Sequence, residues 1–445
     1  MVSLSFPLSP PPPPDESAWL FSAFPFPFQF GGIFRTATME IQEVDLREMG
    51  SLIQSRVILE VSNQVQSLLE SVETTTLEIA VTGESGAGKS TFINALLGLN
   101  DGDPRAAPTG VTETTFSPMP YEHPRLPRVH IWDLPGTGTP RFQAETYLQQ
   151  VGFERYDFFI IIASERFREN HVKLARAVAA MGKRFYFVRS KIDLDLQASR
   201  QRRPTRFEEV HVLREIEADC IRQLKKEGLD SPKVFLISSF ELHRFDFQCL
   251  EDTLAEELEG HKRHVLLLSF PSVTTEAVQK KKASLRRNIW KKALMACFFS
   301  ALPGLPFHLN IPMLLKTLDS YRRSFGLDDD SLGALALTTS KNPSQLKNQV
   351  SSTLARDLSE NAVHVILSQA ATYGKVAARL LKDRVPFLDN LVAGGISFVA
   401  AYYLLHTALD NFAKDAERVL LAAYDLEDEF QKSVFYPPEP GFIFD

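Results

Sequence analysis

The chain has 445 residues, 44% hydrophobic and 23% charged, a composition ordinary for a globular protein and a length that suits two domains better than one. Its 55 acidic residues against 49 basic ones leave a net charge of −6, which argues against a general nucleic-acid binder. Three scattered cysteines, Cys220, Cys249 and Cys297, fit a reducing compartment and exclude a disulfide scaffold or a cysteine zinc site.

Residues 1–38 differ from the rest. Pro10–Pro14 is a proline run, and the Phe-rich stretch Trp19–Phe34 carries Pro25 and Pro27, which deny it a helix. It has neither the charged start nor the continuous apolar core of a secretory signal. The expectation is a disordered extension or an upstream translation artefact, with ordinary sequence from Met39 onward. Neither Met1-Val2 nor Met39-Glu40 supplies the Met-Gly that N-myristoylation requires. Over Ile41–Val72 apolar residues return at helical spacing, among them Leu52, Val57, Leu59, Val65 and Leu69, and predict one or two helices.

Leu77–Thr82 is a short apolar run that suits a buried strand. Gly83-Glu84-Ser85-Gly86-Ala87-Gly88-Lys89-Ser90 then matches G-x-x-x-x-G-K-[ST] in full, and Thr91–Leu97 is a good helix start. Strand, glycine-rich loop and helix are the context in which this motif binds phosphates. The glycines let backbone N–H groups converge on phosphate oxygens, and the helix N-terminus adds partial positive charge there. Lys89 is expected to reach the β- and γ-phosphates, and the Ser90 hydroxyl to ligate Mg²⁺.

Asn100–Pro108 reads as a polar loop. The Thr-rich stretch Thr109–Thr115 follows where a switch loop belongs. A threonine there can close on Mg²⁺ and the γ-phosphate, and Thr109 and Thr115 are both candidates. An alternating strand then delivers Asp133 in Asp133-Leu134-Pro135-Gly136, a D-x-x-G in which the Asp holds Mg²⁺, usually through water, and the Gly136 N–H senses the γ-phosphate. The next residue is Thr137, so the water-orienting Gln of a simple GTPase is absent.

Tyr156–Ser164 is nearly all apolar, as a central parallel strand is, and Asn170–Met181 reads as its helix. A further strand from Arg184 ends in Ser190-Lys191-Ile192-Asp193, close to the guanine-reading [NT]-K-x-D. The Asp193 carboxylate can accept from guanine N1–H and N2–H₂, a donor pair that adenine lacks. The stem of Lys191 would lie along the base. Ser190 departs from the usual Asn or Thr but keeps a hydroxyl, so weakened support is expected. The loop 199–206 is basic and reads as solvated; Lys233–Ser239 is the last strand. The motifs follow one another by about 45 and then about 60 residues, which points to a guanine-nucleotide domain using GTP, GDP and Mg²⁺. Its element order gives a doubly wound α/β sheet over 73–258.

From about Gly260 strand signals stop. Glu276–Phe299 reads as a cationic helix with Lys280, Lys281, Lys282, Arg286, Arg287, Lys291 and Lys292, expected to be a solvated face, with an acidic-lipid surface as the alternative. Leu391–Leu409 holds no Asp, Glu, Lys or Arg over about 19 residues, which touches the transmembrane threshold. A buried helix of an all-α domain is the expectation. Residues 436–445 form a Pro-containing tail.

From about Thr75 to Glu429 the chain resembles the immunity-related GTPases, also called interferon-inducible GTPases. The resemblance is carried by VTGESGAGKSTFINALLGL, TGVTETT, YEHPRLPRVHIWDLPGTGTP, RYDFFIIIASERF and KRFYFVRSKID. Past the nucleotide domain it is carried by RHVLLLSFPSV, VQKKKASLRRNIW and YRRSFGLDDDSL. The runs FGLDDDSL and LVAGGISF look most like the cinema subtype. The resemblance implies a helical domain made from both chain ends, 39–72 and 259–435. It implies that Ser238 lies in the base loop and that Glu84 replaces the missing Gln when two GTPase domains meet face to face, with Glu113 a second switch-loop carboxylate. Beside phosphates the Glu84 pKa is expected to rise, so that it can act as acid or base or orient water. The implied partners are a second copy of the chain, other family GTPases and intracellular membranes (endoplasmic reticulum, Golgi or vesicles), met from the cytoplasm in cell-autonomous defence. The cinema-like runs leave open a tissue-specific role. The rival readings are a nucleotide-gated scaffold with little hydrolysis and a membrane-remodelling oligomer.

Overall fold

The computed structural model describes residues 58–110, 115, 117–137, 143–165, 167–226, 228–229, 232–298, 310–368 and 392–425. The extension 1–38, Glu113 and the tail 436–445 lie outside the described residues.

Helix α1 (Ile58–Thr74) precedes a six-stranded sheet: β1 (Leu77–Gly83), β2 (Met119–His123), β3 (Leu126–Asp133), β4 (Phe158–Ala163), β5 (Arg184–Arg189) and β6 (Val234–Leu236). The order is β2-β3-β1-β4-β5-β6, and only β2 runs antiparallel to its neighbour. All six residues of β4 are buried, because helices cover both faces of the parallel sheet. On one face Ile79, Val81, Ile160 and Val188 pack against α2 (Lys89–Leu97), α7 (Phe247–Glu257) and α8 (Gly260–Ser269). On the other, Ala80, Phe159, Ile161 and Phe187 meet α3 (Ala144–Val151), α4 (Glu169–Ala180), α5 (Ile192–Arg202) and α6 (Glu209–Lys226). Chain order reverses at β1, which has β3 on one side and β4 on the other. In such sheets the crevice beyond the carboxyl end of that strand is the ligand position.

Although strand signals stop near Gly260, α8 still belongs to the sheet: Val265, Leu266, Phe270 and Val273 complete the core beside β1 and β3. The remaining helices form a second core. They are α9 (Thr275–Arg286), α10 (Ile289–Phe298), α11 (Ile311–Ser324), α12 (Asp329–Thr338), α13 (Pro343–Gln349), α14 (Thr353–Arg356), a helical run over 360–368, and α15 (Val392–Tyr424). The 33-residue α15 is the spine, with Leu404, Leu405, Phe412 and Ala413 fully buried against α9, α10, α11 and α13. Val65 of α1 joins this core, so both ends of the described chain meet there. Among the described residues no helix is long and apolar enough to cross a membrane.

Two expectations change. The basic stretch 199–206 begins inside α5, whose last turn carries Arg200 and Arg202. The cationic segment is two helices, and its positive residues do not share a solvated face. Lys281 is 1% exposed and donates to Phe270 O (2.6 Å) and Ser324 O (3.2 Å). Lys292 lies 4.8 Å from the Tyr321 ring, and burial lowers its pKa to about 8. These lysines end in enclosed acceptors because they face α11, which no local pattern encodes.

Candidate functional site

At the carboxyl end of β1 the Gly83 φ is 147°, and a Cβ there would stand 2.0 Å from Ile162 O on β4. Glycine alone lets the two strands close at this point. Gly86 and Gly88 are left-handed, with φ of 76° and 89°. They turn the chain so that α2 begins at Lys89 with no side-chain cap on its first N–H groups. Gly88, Lys89, Ser90 and Thr91 line a cavity of about 130 Å³, with Ser85 and Gly86 on its loop side and Thr109, Gly110, Thr115 and Lys191 opposite. The positive end of α2 and the Lys89 ammonium make this cavity a receptor for anions. Lys89 is buried and donates to Gly83 O (3.4 Å) and Glu84 O (3.2 Å).

Asp133, 1% exposed, sits at the end of β3. Its Oδ2 accepts from Ser90 Oγ (2.8 Å) and Thr115 Oγ1 (2.9 Å), while its buried Oδ1 has no partner among the described residues. Two hydroxyls and a carboxylate with a spare oxygen are a hard-oxygen donor set of the kind Mg²⁺ takes. Of the two switch threonines, Thr115 is the one joined to Asp133; Thr109 is exposed on the cavity wall. Leu134 N–H donates to Val81 O (3.0 Å) and Thr137 N–H to Gly83 O (3.2 Å), which fixes Gly136 between two anchors on β1.

The Ser190 hydroxyl donates to Ala87 O (2.7 Å) and Ala163 O (3.3 Å). It thereby ties the glycine loop to the end of β4, a role that needs only a short donor. Lys191 adopts φ 58°, and its Nζ donates to Gly86 O (2.8 Å). This left-handed turn starts α5, in whose first turn Asp193 lies, and Ile192 N–H donates to Ile237 O beside the fully buried Ser238. The Ser190–Asp193 turn and the Ser238 loop are therefore neighbours, although neither Asp193 nor Ser238 lines the phosphate-sized cavity.

The family model for interferon-inducible GTPases (IIGP) matches residues 42–423, most of the chain and both cores. The chain belongs to the interferon-inducible GTPase family. It is 42% identical over 399 residues to rat interferon-inducible GTPase 5, covering 89% of this chain and 86% of that protein. It is 38% identical over 399 residues to mouse interferon-gamma-inducible GTPase 10, covering 89% and 93%. With mouse interferon-inducible GTPase 1 the identity is 33% over 401 residues, covering 88% and 94%. This interferon-inducible GTPase is an enzyme that binds GTP and GDP.

Two of its residues carried no sequence signal. Tyr147 on α3 joins its hydroxyl to Thr82 Oγ1 (2.8 Å) and donates to Pro135 O (2.9 Å), holding the D-x-x-G loop against β1. Arg168, at the N-cap position of α4, reaches Glu84 of the glycine loop at 3.3 Å. Neither belongs to a motif, since each acts across a gap set by the tertiary fold.

Proposed function

We propose that this interferon-inducible GTPase hydrolyses GTP in a Mg²⁺-dependent site and that pairing of two GTPase domains accelerates the reaction. The observation that carries the metal site is the convergence of Ser90 and Thr115 on Asp133 beneath an uncapped helix end, while the pairing rests on the family resemblance alone. Ser90, Asp133 and a switch threonine, Thr115 or Thr109, would hold the metal. A Mg²⁺ ion held by these residues would supply neutralisation of charge on the phosphate oxygens. The Lys89 ammonium binds the β- and γ-phosphates, the Gly136 N–H reads the γ-phosphate, and Lys191, Asp193, Ser190 and Ser238 form the guanine end.

Glu84 is the candidate to orient the attacking water or accept its proton, because Thr137 occupies the place of the missing Gln. Its carboxylate lies 3.3 Å from Arg168, and its neighbour Ser85 lines the cavity. Glu113 is ranked below it. The nucleotide domain runs from 73 past the expected boundary at 258 to take in α8, whose Val265 and Leu266 belong to the sheet core, on a helical domain drawn from 39–72 and the helices that follow α8. Family membership supports an immunity-related role; peripheral action at intracellular membranes from the cytoplasm, and association with itself or other family GTPases, are what the resemblance implies.

The test is GTP turnover by the full chain against protein concentration, beside Lys89→Ala and Glu84→Ala. Turnover per molecule should climb with concentration in the wild type, vanish with EDTA, and be lost in both variants. A flat specific activity would sink the pairing mechanism. Equal turnover in Glu84→Ala would remove Glu84 from the catalytic site; tight nucleotide binding with wild-type turnover no higher than that of an inactive variant would leave a nucleotide-gated binder.

A further inference from the structure

We propose that the recess where α7, α8, α9 and α10 meet is a binding site for a multiply phosphorylated anion, an inositol phosphate taken either free or as a lipid headgroup. The recess has a volume of about 450 Å³, within the usual small-ligand range and far larger than one phosphate needs. Its walls carry Arg263 from the first turn of α8, Arg287 at the end of α9 and Lys291 on α10. None of the glycine-loop residues lines it, so it is separate from the nucleotide cavity.

The charge around the recess is unbalanced. Lys280 is occupied by Asp252 (2.6 Å) and Glu276 (2.7 Å), which removes that lysine and those carboxylates from the count. Glu256 is the remaining acid of the lining. Among the described residues neither Arg263 nor Arg287 is paired with a carboxylate. Glu259 stands at the N-cap of α8 without a side-chain capping bond, and its carboxylate offsets part of the positive potential of the first N–H groups at Gly260 and His261. His264 also lines the recess. Its Nδ1 lies 2.6 Å from Ser284 Oγ, and burial, then Lys292, His261 and Arg287 lower its pKa to about 4.

Two guanidinium groups on separate helices match separate phosphates of one ligand, each fork suiting two phosphate oxygens. Such a ligand would join α8, which packs on β1 and β3, to α9 and α10, which pack on α15. The proposal does not depend on the hydrolytic mechanism above.

The test uses the full chain saturated with GDP, so that the nucleotide site is filled. Inositol hexakisphosphate is titrated by calorimetry, and phosphatidylcholine vesicles with and without phosphatidylinositol bisphosphate are tested by co-sedimentation. Binding at one site per chain is expected, weakened at least ~tenfold in Arg263→Ala/Arg287→Ala and tightened roughly threefold in Glu256→Gln. GDP affinity and melting temperature serve as controls. If the double variant does not fold, the sign of the Glu256→Gln effect decides. Binding to the free polyphosphate alone assigns a soluble ligand, and matching dependence in the vesicle arm assigns a headgroup. No saturable binding in either arm, or the same affinity in all variants, overturns the proposal.

Discussion

At Gly83 two independent constraints coincide: a backbone angle that side-chain-bearing residues rarely adopt, and a carbonyl 2.0 Å from where a Cβ would lie. Gly83→Ala is expected to lower the unfolding free energy by about 3 kcal/mol in urea titrations and to abolish GDP binding, because β1 and β4 must part. His171 supplies a residue-scale pH dependence. It is 1% exposed, its Nδ1 accepts from the Arg168 N–H at 3.0 Å, and burial and then Arg168 lower its pKa to about 4. The folded-state value lies below the unfolded one, so between the two the unfolded chain binds more protons. Its contribution is fully present above about pH 6.5 and is lost as pH falls toward 4. His171→Gln should shrink the wild-type drop in unfolding free energy between about pH 7 and 5 by roughly 1–2 kcal/mol. An identical drop in the variant would show that other groups carry the acid response.

Among the elements, α15 shows how an apolar run is decided by what surrounds it. Leu391–Leu409 is free of charge, yet α15 continues to Tyr424 through Asp410 and Lys414 and buries Leu404 and Leu405 against other helices. Leu404→Ala should cost about 2–5 kcal/mol of stability by leaving a cavity, while GDP affinity at native temperature stays unchanged. A parallel loss of GDP affinity would mean that the spine helix shapes the nucleotide site. The glycine loop, β4 and α2 were legible because their signals are local: positive-φ glycines, a continuous apolar strand and a helix start within one stretch. The two-helix break at Arg287–Asn288 and the inward lysines were not, since a charged periodicity looks alike whether its partner is water or a buried carbonyl.

Across the whole molecule, Lys281 links the two cores by donating to Phe270 O at the end of α8 and to Ser324 O at the end of α11. Its charge faces that of Glu251 on α7; burial lowers the lysine's pKa and raises the carboxyl's. Lys281→Met leaves Glu251 buried without its counter-charge and should destabilise by about 3 kcal/mol, with part of the loss recovered in Lys281→Met/Glu251→Gln. No recovery would mean that the two carbonyl contacts, not the charge pairing, hold the cores together.

The sequence by itself determined the nucleotide chemistry and the α/β class. Phosphate cradling needs glycines, a lysine and a hydroxyl in one short register, and a parallel sheet needs apolar strands between helices. Only the tertiary structure decided which switch threonine meets Asp133, that Tyr147 and Arg168 reach the site, and that the positive residues past Gly260 divide between a buried link and the lining of an open recess. Each of these depends on groups from different elements being brought together, which packing fixes and local spacing does not.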